Sequence, residues 1–166
     1  MLDDVLGPGD ITLTATESVV VNVDHLTIGD GVGGPGNIPG LEDPLVMTTG
    51  VGATILLQAG DDIRVRSDAC VQAPAGNIVT TPGFGDVDGD ADVFVEPGGC
   101  IDAANVVVNS PNDIYLGELT ATVSLTINAG TDGTGSIIDL SPGSLLAPGA
   151  NNITTATLNM TAAGNT

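Results

Sequence analysis

The chain has 166 residues, of which 42% are hydrophobic but only 2% aromatic, with no Trp, so its core must be built from Val, Ile, Leu and Ala. Two Arg, no Lys and 21 acids give a net charge of −19, which argues against nucleic acid and anionic membrane as partners, since both need a basic face. No apolar run approaches a membrane span, and Met1-Leu-Asp-Asp lacks the basic start and apolar core of a signal peptide.

In chain order, alternating apolar and polar residues predict strands at Ile11 to Thr16, Ser18 to Val23 and Leu26 to Ile28. Gly29 to Pro44 follows as a Gly/Pro-rich loop with little to bury, extruded from the body. Strands resume at Leu45 to Met47 and continue to Ala73, and Thr80 to Asp92 forms a second insertion. Beyond it lie Val93 to Val95, Ile101 to Ala103, Val106 to Val108, Ile114 to Leu116, Leu119 to Ile127, Ile137 to Leu140, Leu145-Leu146 and Ile153 to Thr161. No stretch sustains a helical apolar stripe, and no domain boundary is visible, so residues 1–166 read as a single all-β unit.

The unit that organises the chain is Ala53 to Val65. Ile55, Leu57 and Ala59 alternate with polar or outward residues, Gly60-Asp61-Asp62 turns the corner, and Ile63 and Val65 resume the inward set. Gly, Asp and Asn collect at such corners because they tolerate positive φ or bond their own backbone. The first half returns at Val123 to Gly130 and Thr157 to Gly164, and the corner returns at Gly9-Asp10-Ile11, Gly76-Asn77-Ile78, Asn112-Asp113-Ile114 and Asn151-Asn152-Ile153. These echoes follow no fixed period, so loops of different length must intervene.

Many short strands with frequent corners fit a sandwich, a barrel or a parallel β-helix. The self-similar words and the scarcity of Asn-Gly or Asp-Gly hairpin turns favour the β-helix. At about 20 residues and about 4.8 Å per coil, the chain would make roughly seven or eight coils. Ala162-Ala-Gly-Asn-Thr166 stops where another coil should begin, so the expectation is a segment of a longer repetitive polypeptide whose neighbouring repeats cap its ends.

Gly9 to Ala15, Ile55 to Val65 and Leu158 to Asn165 resemble the degenerate repeats of filamentous-haemagglutinin-type surface exoproteins, large bacterial adhesins. That resemblance implies a right-handed parallel β-helix; the two extruded loops near residues 29–44 and 80–92, and the acidic balance, are not features of the generic repeat. The resemblance also implies a secreted or cell-surface shaft that is structural and adhesive rather than enzymatic, touching a glycan or protein through its loops. Rival readings are an enzyme acting on polysaccharide and an ice-binding solenoid carried by Thr rows such as Thr12, Thr14, Thr16 and Thr120, Thr122, Ser124, Thr126.

Several residues are candidate sites. Asp86, Asp88, Asp90 and Asp92 stand at positions 1, 3, 5 and 7 of a Gly-containing loop, the spacing of calcium ligands, and Phe84 to Asp92 resembles the Asp-x-Asp-Gly-Asp calcium loops. Ala91 replaces an expected Gly and Pro97 excludes a helix-loop-helix site, and the alternative is a solvated acidic loop. Cys70 and Cys100 sit in similar words, so in an exported chain they read as a disulfide at the base of the second insertion, the alternative being two small core residues. Arg64, Arg66 and Asp68 share a strand face, either as a ligand face or as partners of acids on neighbouring coils. His25, the single histidine, is not read as catalytic.

Overall fold

The computed structural model describes residues 5–22, 25–29, 45–67, 69–85, 90–140 and 153–163. The strands are β1 (Val5–Gly7), β2 (Ile11–Ala15), β3 (Ser18–Asn22), β4 (His25–Gly29), β5 (Leu45–Thr48), β6 (Thr54–Ala59) and β7 (Ile63–Val65). They continue as β8 (Cys70–Thr81), β9 (Val93–Val95), β10 (Cys100–Asn109), β11 (Ile114–Leu116), β12 (Glu118–Ala129), β13 (Ile137–Asp139) and β14 (Ile153–Ala162). No helix occurs among the described residues.

The strands form two sheets. One follows the order β1-β5-β8-β10-β12-β14, with β2 and β6 continuing the first two rungs; the other follows β13-β11-β9-β7-β3-β4. Every pairing is parallel except β3 with β4, where Val19 lies opposite Ile28 in an antiparallel ladder. From β5 onward the chain passes between the two sheets in strict alternation after each rung is laid. The all-β, parallel-strand expectation therefore holds. Among the described residues the longer path contains six strands, against the seven or eight coils expected for the whole chain.

Like residues stack on like. Ile11 of β2 lies in register with Ile55, then Ile78, Val106, Leu125 and Leu158. A second column runs Val5, Val46, Val71, Ile101, Leu119 and Ile153. On the short-strand sheet Val19, Ile63, Val93, Ile114 and Ile137 form a third. The three columns meet in one core, in which Ile55, Ile63, Ile78, Ile101, Ile114, Leu119 and Leu125 are all 0% exposed. Burying each such side chain contributes about 1.5–3 kcal/mol, and a slip of one residue in any strand would turn its whole set outward. At the last rung the pattern persists but the cover does not: Leu158 and Met160 are 45% and 44% exposed, whereas Leu125 and Ile127 beside them are 0%.

The registers also explain why the corner words have no fixed period: they belong to different corners. Asp10, Thr54, Asn77, Asn105, Ser124 and Thr157, each just before a residue of the first column, stack at a bend within the long sheet. Asp62 and Asp113 instead precede the short strands, and Ile153 opens the first leg of β14. The long strands bend through register shifts between Ala103 and Asn105 and between Ala121 and Ser124, so runs expected as separate strands at Ile101 to Ala103 and Val106 to Val108 join in β10. Leu145-Leu146 and residues 30–44 of the first loop lie outside the described residues. Of the second insertion, Thr80 and Thr81 belong to β8 and Ala91 is fully buried, while residues 86–89 lie outside the described residues.

Glycine at these corners answers to crowding more than to φ. A Cβ on Gly60 would sit 2.0 Å from the Thr16 carbonyl oxygen, and one on Gly76 2.2 Å from that of Ala53, each on the preceding rung, and neither residue has positive φ. Gly76→Ala should therefore destabilise by about 2 kcal/mol or more, through backbone that cannot move aside without breaking the ladder. Gly7→Ala, with nothing within 4 Å of its Cβ, should leave stability nearly unchanged in the same urea titration.

Candidate functional site: a carboxylate and aromatic column on the short-strand face

Three words of one pattern lie on successive rungs: Asp62-Ile-Arg64-Val65, Asp92-Val-Phe94-Val95 and Asp113-Ile-Tyr115-Leu116. The second and fourth residues of each point inward, so the first and third must share the outer face. Arg64 lies in register with Phe94, and Phe94 with Tyr115. The rings stack with centroids 4.4 Å apart and planes 6° from parallel, and the Arg64 guanidinium carbon lies 3.9 Å from the Phe94 centroid. An aromatic pair contributes about 0.5–1.5 kcal/mol beyond its area, and a cation over a ring about 0.5–1 kcal/mol when exposed.

The carboxylates run beside this stack and tie each corner to the next. Asp62 Oδ1 accepts the Asp92 N–H at 3.0 Å, Asp92 Oδ1 accepts the Asp113 N–H at 2.8 Å, and Asp113 Oδ1 accepts the Ser136 N–H at 2.7 Å. At the ends of the column the second oxygens are also engaged: Arg64 Nη2 lies 3.0 Å from Asp62 Oδ2, and the Tyr115 hydroxyl donates to Asp113 Oδ2 at 3.4 Å. Asp92 stands between. Burial lifts its pKa above the ordinary 3.8, the Asp113 N–H bond and Arg64 oppose the rise, and the carboxylates of Asp62 and Asp113 add to it. Burial likewise raises the Tyr115 phenol above 10.0, reinforced by Asp113.

The expected site residues fall in different places. Arg64 is enclosed by Asp62 and Phe94, and Arg66 pairs with Glu96 of the next rung at 3.0 Å, so both arginines are bound to acids; Asp68 lies outside the described residues. Of the loop carboxylates, Asp86 and Asp88 lie outside the described residues, Asp90 is exposed, and Asp92 belongs to the corner column. No group of three or more metal-binding side chains occurs among the described residues. Cys70 and Cys100, in register at the start of β8 and β10, are joined in a disulfide with Cα atoms 4.6 Å apart. His25 falls in β4. The Thr rows do not stack into an array, because Thr12 lies beside Leu56 and Thr126 beside Val107, and the bend separates Thr120 from Ser124.

Sequence reasoning missed Asp62, Asp113, Phe94 and Tyr115 as one feature. The signal is present in the repeated word Asp, β-branched, any residue, aliphatic, but Asp92 also ends an acidic run, and that run conceals its kinship with the strand after it. Comparison with protein-family models, with curated proteins and with solved structures returns no match for this chain.

One prediction comes from this face and a second from the disulfide on the long-strand sheet. A folded-state pKa raised above the unfolded value means the native state holds the proton more tightly, so the Asp92 contribution to stability grows as pH falls through that raised pKa and is lost above it. Asp92→Asn keeps an acceptor for the Asp113 N–H and removes the charge, so it should raise the melting temperature at neutral pH and flatten that part of the pH profile. Asp92→Ala should lower the melting temperature, and equal losses in the two variants would refute the assignment. Cutting the disulfide, which closes a sequence separation of 30 residues, should lower stability by about 3–4 kcal/mol, read from urea melts of the Cys70→Ser, Cys100→Ser double variant.

Proposed function

We propose that the chain is a stretch of a secreted or cell-surface bacterial shaft of filamentous-haemagglutinin type, a right-handed parallel β-helix whose work is mechanical. The observation that supports this best is the in-register column Ile11, Ile55, Ile78, Val106, Leu125 and Leu158, one residue from each rung. A chain that winds repeatedly past the same point produces such a column, and its alternation between two parallel sheets fits the same path. The mechanism is repetition. Each coil completes the hydrogen bonding of the last, and connections between coils vary without disturbing the core.

A polysaccharide-cleaving reading would draw on Asp62, Asp92 and Asp113. One oxygen of each already accepts a backbone N–H from the next rung, so the column is accounted for as a corner tie. An ice-binding reading would draw on the Thr rows, which Leu56, Val79 and Val107 interrupt.

Register gives a direct test. Ile114 occupies on its rung the place of Val93 on the one before, so a second copy of residues 93–113, with Cys100→Ser in the added copy, inserts one complete coil. Small-angle scattering should then show the maximum dimension increased by about 4.8 Å at constant cross-section, with cooperative unfolding retained. Unfolding, or a body that broadens instead of lengthening, would sink the winding path.

A further inference from the structure

Phe84 has no part in the core or in the aromatic stack, yet it is held in one place. Of the chain's three aromatic residues, Phe94 and Tyr115 stack on each other and Phe84 is 54% exposed. Its turn is fixed by Gly83 at φ +69° and Gly85 at φ +83°, and by its own N–H, which donates to the Ala59 carbonyl at 2.7 Å. A rigid turn that presents an apolar ring to solvent gains nothing from burial, so its stability does not explain the ring.

Beside the ring is a pocket of about 310 Å³ lined by Thr14, Ala15, Thr16, Phe84 and Gly85. The Thr14 hydroxyl donates to Gln58 Oε1 at 3.4 Å, and Gln58 lies in register with both Thr14 and Thr81. Farther along the outer face Asn109, Asn128 and Thr161 are in register, with the Asn128 amide donating to Asn109 Oδ1 at 2.9 Å. Thr81 and Asn109 follow the paired residues Thr80 and Val108, so the two segments make one outward row of hydroxyls and amides. The row holds no charged residue, in a chain of net charge −19.

We infer that this pocket and row bind a neutral glycan, one sugar ring packing its C–H face on Phe84 while further units follow the row. The ring supplies the apolar face. The Thr14 and Thr81 hydroxyls already donate, to Gln58 and to the Leu57 carbonyl, and the Asn109 amide donates to the Thr80 carbonyl, so the row offers hydroxyl oxygens as acceptors and the remaining Asn and Gln amide hydrogens as donors. The surrounding negative field repels uronates, sulfated sugars and phosphates. A quaternary ammonium would be drawn by that field, but it needs several rings around it, and the pocket has one. The inference deepens the surface-shaft reading by naming what the side of the shaft holds. The added-coil experiment does not depend on it, so either can fail alone.

The test is a titration followed by ¹⁵N–¹H correlation spectra. The probes are methyl β-glucoside, methyl α-mannoside, methyl β-galactoside and N-acetylglucosamine, followed by cellotetraose and mannotetraose, with glucuronate and tetramethylammonium as controls. At least one neutral sugar should shift the Thr14, Thr16, Phe84 and Gly85 amides saturably. Cellotetraose or mannotetraose should bind more tightly than the single sugars and extend the shifts to Thr81 and Asn109. Phe84→Ala should weaken binding about tenfold or more with an unchanged melting temperature, and Phe84→Trp should retain it. No shift with any neutral sugar, shifts that persist in Phe84→Ala, or saturation by tetramethylammonium at the same amides would overturn the proposal.

Discussion

A strand in a parallel sheet satisfies its N–H and C=O groups only through neighbours on both sides, so no rung of this molecule is stable by itself. Its apolar residues face the same restriction, since a three-residue strand such as β7 cannot enclose Ile63 and Val65 without β3 and β9 above and below. Register is therefore the constraint on which everything else depends. It sets which residues stack, which corners touch and where glycine is compulsory. The Gly60 and Gly76 contacts show how tight the spacing is, because the chain on one rung leaves no room for a methyl group on the next.

Charge is arranged within that constraint. Like-charged aspartates would be expected to keep apart, yet Asp62, Asp92 and Asp113 are brought onto consecutive rungs at one corner. Each gains a backbone N–H, and at the ends Arg64 and Tyr115 provide a cation and a hydroxyl. Asp92, between them, has its pKa raised chiefly by burial, and the repulsion of Asp62 and Asp113 adds to the rise. The arginines serve the same end: a chain with only two of them binds both to acids.

Strand content and the inward residues were legible in the sequence, because alternation at a period of two leaves Ile55, Leu57 and Ala59 only one way to face. The first half of the repeated word proved to be a single column: Ile55 with Leu125 and Leu158, reached through Ile78 and Val106. Its corners were legible as corners but not as three different corners, because Gly-Asn-Ile and Asn-Asp-Ile are alike to the eye and are distinguished only by the rung they join. The Phe94 and Tyr115 stack was hidden for another reason. Contact across rungs depends on how many residues each connection takes up, and local composition does not fix that number. Phe84 gave no periodic signal at all, since its position comes from a glycine turn and a single N–H bond to Ala59.

Among the described residues the two outermost rungs are chemically unlike. At one, β4 folds back antiparallel on β3; at the other, β14 leaves Leu158 and Met160 open to water on a strand without a single charge. Each rung is held by its neighbours, so the bond from Cys100 back to Cys70 acts on more than the two strands it joins. In the unfolded chain that bond keeps the starts of β8 and β10 side by side, so the register of two adjacent rungs outlasts the sheets themselves. A covalent link between two neighbouring rungs thus carries, in a single bond, the alignment that every other rung has to follow.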